Sequence, residues 1–136
     1  MGLDMYLRAE HVEEPESEWI EESYSDGTTK KVPPTVELGY WRKHPNLHDH
    51  MKQIWEESED YKEDYDFNCV PVKLSDAQLI DIIKRTVNDD LAQSKGGFFF
   101  GETQEHHKWE TIKIMSHALK YRLENPGCDI VYDSWW

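Results

Sequence analysis

The chain has 136 residues and a formal net charge of −13 at pH 7. Hydrophobic residues make up 38% of the sequence and aromatic residues 12%. This length fits one domain spanning 1–136, and the aromatic side chains supply apolar area for a folded core. The acidic charge argues against non-specific nucleic-acid binding, which needs clustered Lys and Arg side chains. We also expect no membrane span, because no apolar stretch approaches about 18 residues.

The first predicted elements are strands. Residues 1–7 alternate apolar and polar side chains, which predicts a strand with Leu3, Met5 and Leu7 on its buried face. Asp26-Gly27 is a hairpin-type turn signal, and an extended pattern resumes over 35–40 after two prolines. The N-terminal third is therefore expected to be a strand, a hairpin and a second strand.

The middle of the chain predicts two helices separated by a short strand. Asn46 is the expected N-cap of a helix over about 47–58, and 67–72 reads as a strand that Pro71 makes irregular. Ser75-Asp76-Ala77-Gln78 is a capping box that starts a second helix, which ends near Asn88. Its expected buried face comprises Leu79, Ile80, Ile83 and Val87.

A glycine-bracketed run of three Phe occupies 96–101 and is expected to be core. A third helix from about Gln104 should place five apolar residues on one face: Trp109, Ile112, Met115, Leu119 and Leu123. Residues 129–136 read as the last strand. The order predicts a single α+β domain, with a mixed or mainly antiparallel sheet of about four to five strands and three helices packed mainly on one face.

Two acidic segments, near 10–34 and 56–66, are expected to be variable surface regions. Within them the negative charge is concentrated in two stretches, residues 13–26 and residues 56–66. These stretches hold fourteen of the 28 acidic residues and one of the 15 Lys and Arg residues, so the remainder is close to neutral. They are either solvated loops or a surface for a basic partner. The candidate partner-binding residues are Glu13, Glu14, Glu16, Glu18, Glu21, Glu22, Glu56, Glu57, Glu59, Asp60, Glu63 and Asp64.

A second candidate site lies where the strand over 35–40 meets the first helix. Arg and Lys at such a junction favour an anion or an acidic loop, and a Trp beside an Arg suits a stacking surface. The alternative is that Trp41 is core and Arg42 pairs with a carboxylate. The candidate ligand- or partner-binding residues are Tyr40, Trp41, Arg42, Lys43, His48, Gly97 and Gly101.

Known signatures of metal, nucleotide or nucleophile chemistry do not occur in the sequence. His48 and His50 are two residues apart and diverge on a helix, and no zinc-type spacing is present. No phosphate loop or nucleophile elbow occurs, and the two cysteines, Cys69 and Cys128, form no CxxC pair. We therefore predict no metal, no cofactor and unknown catalytic residues, and an enzyme is the less favoured reading.

Four blocks of the chain resemble a family of small phage and prophage proteins that has no established activity. They are the N-terminal MGLDMYL, the YWRK block with Asn46 and His48, the GFFFG block, and the Trp-rich C-terminus. This resemblance implies a bacterial cytoplasmic setting. Two departures are His106-His107, where relatives carry acidic and Tyr residues, and the acidic segments themselves.

These observations support two hypotheses of different kinds. The first is a small acidic accessory protein that binds a host or phage protein, as an inhibitor or DNA mimic, without binding nucleic acid or membrane directly. The alternative is a small enzyme or ligand sensor with an anion site at the junction between Tyr40 and His48. The terminal Trp135-Trp136 pair also suits a homodimer contact.

Overall fold

The computed structural model describes residues 2–91 and 101–136. These residues form three α-helices, six strands and a one-turn 3-10 helix over Glu16–Glu18. The elements in chain order are β1 (Asp4–Glu10), β2 (Ile20–Ser23), β3 (Thr29–Val32), β4 (Thr35–Arg42), α1 (Pro45–Glu56), β5 (Val72–Leu74), α2 (Asp76–Val87), α3 (Glu105–Glu124) and β6 (Asp129–Trp135). No helix within the described residues has the length and apolar character needed to cross a bilayer.

The main sheet has the strand order β4-β1-β6-β5, and every neighbouring pair is antiparallel. β1 lies between β4 and β6, so its inward side chains sit at the centre of the domain. The predicted alternation is confirmed, since Leu3, Met5 and Leu7 are fully buried. β2 and β3 form a separate two-stranded hairpin, turned at Gly27 as its Asp-Gly signal predicts.

The three helices contribute to the same core as the inner face of the main sheet. Their fully buried apolar residues include Leu47, Met51, Leu79, Ile82, Met115 and Ala118. The Ser75 capping box is present: the Gln78 N–H donates to Ser75 Oγ at 3.2 Å, and the Ser75 N–H donates to Gln78 Oε1 at 2.8 Å. The predicted α+β single-domain fold is thus confirmed, with an entirely antiparallel four-stranded sheet.

The predicted buried faces of α2 and α3 are partly wrong. Ile80 and Val87 are exposed on α2, where Ile82 and Thr86 turn inward with Leu79 instead. The predicted stripe of α3 is only partly buried, because its two ends, Trp109 and Leu123, are 65% and 68% exposed. Met115 is buried as predicted, and the other side chains that α3 buries are polar or small: His107, Thr111 and Ala118.

Contacts with β4 explain why α3 buries a polar face. Gly39 leaves room for α3: a Cβ at that position would lie 2.3 Å from Ile114 Cγ2. Next to it, the Trp41 indole N–H donates to Thr111 Oγ1 at 3.0 Å, both groups being buried. A buried indole needs a hydrogen-bond acceptor, so a Thr on the helix stabilises this orientation better than an apolar residue would.

The predicted strand over 67–72 is wrong in its position, because β5 begins only at Val72. Cys69 has a φ of 57° and its N–H donates to Ser134 O, so the backbone turns here rather than extending. Asn68 holds the C-terminus, donating from Nδ2 to Trp136 O at 3.0 Å. Cys128 precedes the opposite end of β6, and both cysteines are free thiols.

Candidate functional site

The strand β4 separates the candidate residues Tyr40, Trp41 and Arg42 onto two faces of the sheet. β4 extends to Arg42, and alternate residues of a strand point to opposite faces. Trp41 is fully buried, whereas Tyr40 and Arg42 are exposed. The Tyr40 hydroxyl donates to Asp4 Oδ1 at 2.5 Å on the outer face. The predicted stacking surface formed by Trp41 beside Arg42 is therefore wrong.

Lys43 and Gly101 come together at the turn that follows β4. Lys43 has a φ of 55°, and its N–H donates to Leu3 O at 2.8 Å. Gly101 has a φ of 70°, and a Cβ there would lie 3.1 Å from Lys43 Cδ. Both the positive φ and this close approach favour glycine at 101. Gly97 and the three Phe of the same run lie outside the described residues.

His48 faces the core and not the turn at Lys43. It is buried on α1, with Nδ1 2.6 Å from the Tyr132 hydroxyl and its ring centroid 4.9 Å from that of Phe67. Burial lowers the pKa of His48 to about 4, and the nearby Lys52 adds to this effect. The side chain is therefore neutral at physiological pH and is placed where it stabilises the core.

The helix α1 begins two residues earlier than predicted, which changes the role of Asn46. His44 is the N-cap residue, Pro45 is the first helical residue, and Asn46 is the second. Proline suits this first position because its fixed φ is helical and its missing N–H would have no intrahelical partner. The His44 side chain does not cap the helix, and the first turn of α1 contains no acidic residue.

His44 and His107 form a parallel stack beneath this helix start. Their ring centroids are 4.7 Å apart with an interplanar angle of 3°, and both side chains are buried. The Gln104 N–H donates to His107 Nδ1 at 2.8 Å, while His107 Nε2 lies 2.8 Å from the Arg42 carbonyl oxygen. Because a carbonyl only accepts, His107 must carry its proton on Nε2 and be neutral. Burial lowers the pKa of His107, in keeping with this state.

His44 shares a threonine hydroxyl with the backbone at the start of α1. Thr103 Oγ1 accepts from the Asn46 N–H at 3.1 Å and lies 3.0 Å from His44 Nδ1. The Thr103 hydroxyl satisfies both neighbours if it donates to Nδ1, which leaves the proton of His44 on Nε2. That Nε2 is buried and has no hydrogen-bond partner within the described residues. Burial, followed by His107 and His106, lowers the pKa of His44 to about 3.

A cavity of about 320 Å³ lies beside His44 where three helix ends meet. Its wall comes from the start of α1, the end of α2 with the residues after it, and the start of α3. The lining residues are His44, Asn46, Arg85, Thr86, Asp89, Leu91, Thr103, Gln104, Glu105 and Lys108. Arg85 donates to Asp81 at 2.9 Å and Lys108 to Asp89 at 3.2 Å. The cavity is thus polar and contains charges of both signs.

Among the described residues, two clusters of His and Glu side chains have the proximity of metal ligands, but in each one histidine, His107 or His11, already uses both ring nitrogens in hydrogen bonds. The first is His106, His107 and Glu110, in which both ring nitrogens of His107 are used as described above. The second is His11, Glu13 and Glu14. A metal ligand needs a free lone pair, so each cluster would lose existing hydrogen bonds on binding an ion.

In the second cluster His11 links an acidic residue to a tyrosine. His11 Nδ1 is 2.6 Å from Glu13 Oε1, and His11 Nε2 is 2.6 Å from the Tyr121 hydroxyl. Burial raises the pKa of Glu13, but the hydrogen bond with His11, a backbone hydrogen bond and the electrostatic effect of His11 together outweigh it, so the net shift is downward. The two hydrogen bonds of His11 connect the segment after β1 to α3, so they hold the loop at Glu13 in place.

The first acidic segment is less purely acidic in three dimensions than in sequence. The hairpin places Glu21 opposite Lys31 and Glu22 opposite Lys30 in the β2–β3 register. Opposite charges across a strand pair stabilise the hairpin and reduce the local negative potential. Part of this predicted acidic surface is therefore balanced by Lys30 and Lys31, which lie on β3 within the same segment.

The second acidic segment remains acidic and also carries exposed aromatic rings. Glu56 to Asp66 are all exposed, with Tyr61 at 41% and Tyr65 at 58%. A groove of about 910 Å³ and another of about 380 Å³ border it. The lining residues that the two grooves share are Trp55, Tyr65, Asp66 and Trp136. Lys62 Nζ lies 5.1 Å from the centre of the Tyr65 ring, a cation–π contact.

The sequence analysis did not group the residues of the cavity beside His44 into a site, because they are far apart in the chain. Arg85, Thr103 and Lys108 come from different elements, and no local spacing joins them. One local signal was present: His44-Pro45 predicts a helix that starts at the proline, with a histidine at its N-cap. Histidine is not a favoured N-cap residue, so an uncapped helix start could have been inferred.

Comparison of this chain with protein-family models, with curated proteins and with solved structures gave no match. The resemblance to small phage and prophage proteins therefore stays a prediction that rests on the four sequence blocks alone.

Proposed function

We propose that the protein is an acidic binding protein that holds a Lys- and Arg-rich region of a partner protein against its second acidic segment. The observation that carries this proposal is the combination of exposed carboxylates and exposed aromatic rings along the grooves at 56–66. Carboxylates attract a basic side chain over several ångströms, and an aromatic face then binds its cation at short range.

The contact of Lys62 with Tyr65 is an intramolecular example of the interaction expected with a partner. An ammonium group already lies over one ring of the segment. Asp60, Asp64 and Asp66 line the larger groove with Tyr65, so a partner side chain there would meet carboxylates and an aromatic face together. Tyr and Trp are also the side chains that most often contribute strongly to protein interfaces.

The kind of partner follows from the charge. A basic partner surface is complementary, whereas nucleic acid and anionic lipid would be repelled. The more specific version, in which the carboxylates mimic a phosphate track, requires a partner that also binds DNA. That the partner is a phage or host protein is inferred only from the family resemblance.

Two charge variants test this proposal with the same overall change in charge. The segment variant contains Glu59→Gln, Asp60→Asn, Glu63→Gln and Asp64→Asn. The matched variant contains Glu16→Gln, Glu18→Gln, Glu21→Gln and Glu22→Gln. All eight side chains are exposed, so both variants should fold.

The wild type and both variants are immobilised and exposed to bacterial lysate at about 50 mM and about 300 mM salt. We expect a protein retained at the lower salt by the wild type and the matched variant but lost from the segment variant. Release of that protein by added duplex DNA would identify the DNA-mimic version. Equal retention by the two variants, or no retained protein at either salt, would contradict the proposal.

A further inference from the structure

The helix α1 differs from α2 and α3 in how its N-terminus is satisfied. α2 has the Ser75 cap and Asp76 in its first turn, and α3 has Glu105 in its first turn. α1 has neither a side-chain cap nor an acidic residue in its first turn. The backbone N–H groups at a helix start carry a partial positive charge that favours an anion. The 12-residue helix α1 therefore has no N-cap side chain or acidic residue of its own, and its Asn46 N–H donates to Thr103 Oγ1 from a distant part of the chain.

His44 gives an independent indication at the same position. The residue is 2% exposed, lines the cavity, and has an Nε2 with no hydrogen-bond partner within the described residues. In the tautomer in which the Thr103 hydroxyl donates to Nδ1, the proton of His44 is on Nε2 and that atom is a donor. A buried donor without an acceptor is unfavourable, and a bound acceptor atom would remove that cost.

The cations of the cavity are available because their present partners are exposed. Lys108 pairs with Asp89 and Arg85 pairs with Asp81 and Asp90, and the Asp89 and Asp90 side chains are each 77% exposed. Exposed ion pairs contribute little to stability, so an anion can exchange with these aspartates at small cost. Glu105 also lines the cavity, and its carboxylate lies in the first turn of α3, where the positive end of that helix stabilises it.

From these observations we infer that the cavity at the start of α1 is a binding site for a small oxyanion, a phosphate or carboxylate group. His44 Nε2–H would donate to the anion, the positive end of α1 would attract it, and Arg85 and Lys108 would neutralise it. A cavity of about 320 Å³ leaves room for a small group attached to the anion. This site lies on different elements from the acidic segment at 56–66 and does not depend on the proposed partner binding.

A charge-matched pair of variants tests the site. The cavity variant contains Arg85→Gln and Lys108→Gln. The control variant contains Lys113→Gln and Arg122→Gln on α3, neither of which lines the cavity. Each variant loses two positive charges, so a difference between them reports the location of binding and not the net charge of the protein.

The probes are inorganic phosphate and acetate, titrated into the full chain while the melting temperature and the amide and imidazole NMR signals are recorded. We expect phosphate or acetate to raise the melting temperature of the wild type and of the control variant, since a ligand of the folded state stabilises it. The same titration should shift the His44 Nε2–H signal and the amide signals of Leu47. The cavity variant should bind about tenfold more weakly, which corresponds to about 1.4 kcal/mol.

His44→Phe provides a second test, because it keeps an aromatic ring in the stack with His107 and removes the donor. A folded His44→Phe variant should also lose at least about fivefold in affinity, or about 1 kcal/mol. If that variant does not fold, the cavity variant alone decides. The inference would be overturned by no response to either anion, by equal responses of the cavity and control variants, or by signal shifts confined to residues away from the cavity.

Discussion

Substituting Gly39 by Ala tests how the structure positions α3, and with it the cavity. The added Cβ would lie 2.3 Å from Ile114 Cγ2 and 2.9 Å from its Cγ1 and Cδ1. Ordinary carbon contacts are about 3.5–4.0 Å, so β4 and α3 must separate by about 1 Å or Ile114 must leave its rotamer.

The size of the effect follows from two opposing contributions. Overpacking of this kind typically costs about 1–3 kcal/mol, whereas Gly→Ala lowers the entropy of the unfolded chain and returns about 0.4–1 kcal/mol. We therefore expect Gly39→Ala to lower the free energy of unfolding by about 1–2 kcal/mol. For a chain of this length the melting temperature should fall by about 3–8 °C.

Urea denaturation of a double-mutant cycle measures this directly. Ile114→Ala removes the atoms that meet the new methyl group, so Gly39→Ala should cost at least about 1 kcal/mol less in that background. A Gly39→Ala protein as stable as the wild type would refute the close approach of β4 and α3. An equal cost in both backgrounds would show that Ile114 is not the group responsible.

Three further outcomes are expected. In the folded protein the pKa values of His44 and His48 are lowered from 6.5 to about 3 and about 4, so the unfolded chain binds protons first and stability is lost as pH falls below 6.5. Urea denaturation at a series of pH values should show the free energy of unfolding falling by up to about 1.4 kcal/mol per pH unit for each histidine. A flat profile between pH 7 and 5 would contradict the burial of these histidines. Ser75→Ala should lower the free energy of unfolding by about 1 kcal/mol, because α2 loses its N-terminal cap. The control Ser116→Ala, at an exposed position on α3, should not lower the melting temperature, and equal effects of the two substitutions would argue against the cap. In native protein a bulky thiol reagent should modify Cys69 but not buried Cys128, with both reacting in denaturant, and rapid reaction of both in native protein would be contrary to the structure.

The sequence predicts the elements of this fold well where a signal is local. The alternation around Met5, the Asp-Gly turn and the Ser75 capping box each depend on a few neighbouring residues, and each is present in the structure. The orientation of α3 could not be predicted in this way. It depends on Gly39 and on the buried indole of Trp41, which meet α3 only in the folded chain.

The candidate sites show the same division. The exposed acidic segment at 56–66 could be identified from charge alone, but its grooves also involve Trp136 from the far end of the chain. The Tyr40–Arg42 prediction failed because β4 continues two residues further than expected, which places Trp41 inside. The cavity beside His44 depends on residues from three helix ends, and no sequence spacing brings those together.

The binding of a basic peptide to the second acidic segment is the most direct test of the proposed function. Fluorescence anisotropy of a labelled peptide of alternating Lys and Arg would be measured with the wild type, the segment variant and the matched variant. Four exposed ion pairs contributing about 0.4 kcal/mol each predict a dissociation constant about fifteenfold higher for the segment variant and nearly unchanged for the matched variant. Equal weakening in both variants would show that net charge alone attracts the peptide and would contradict a binding site at 56–66.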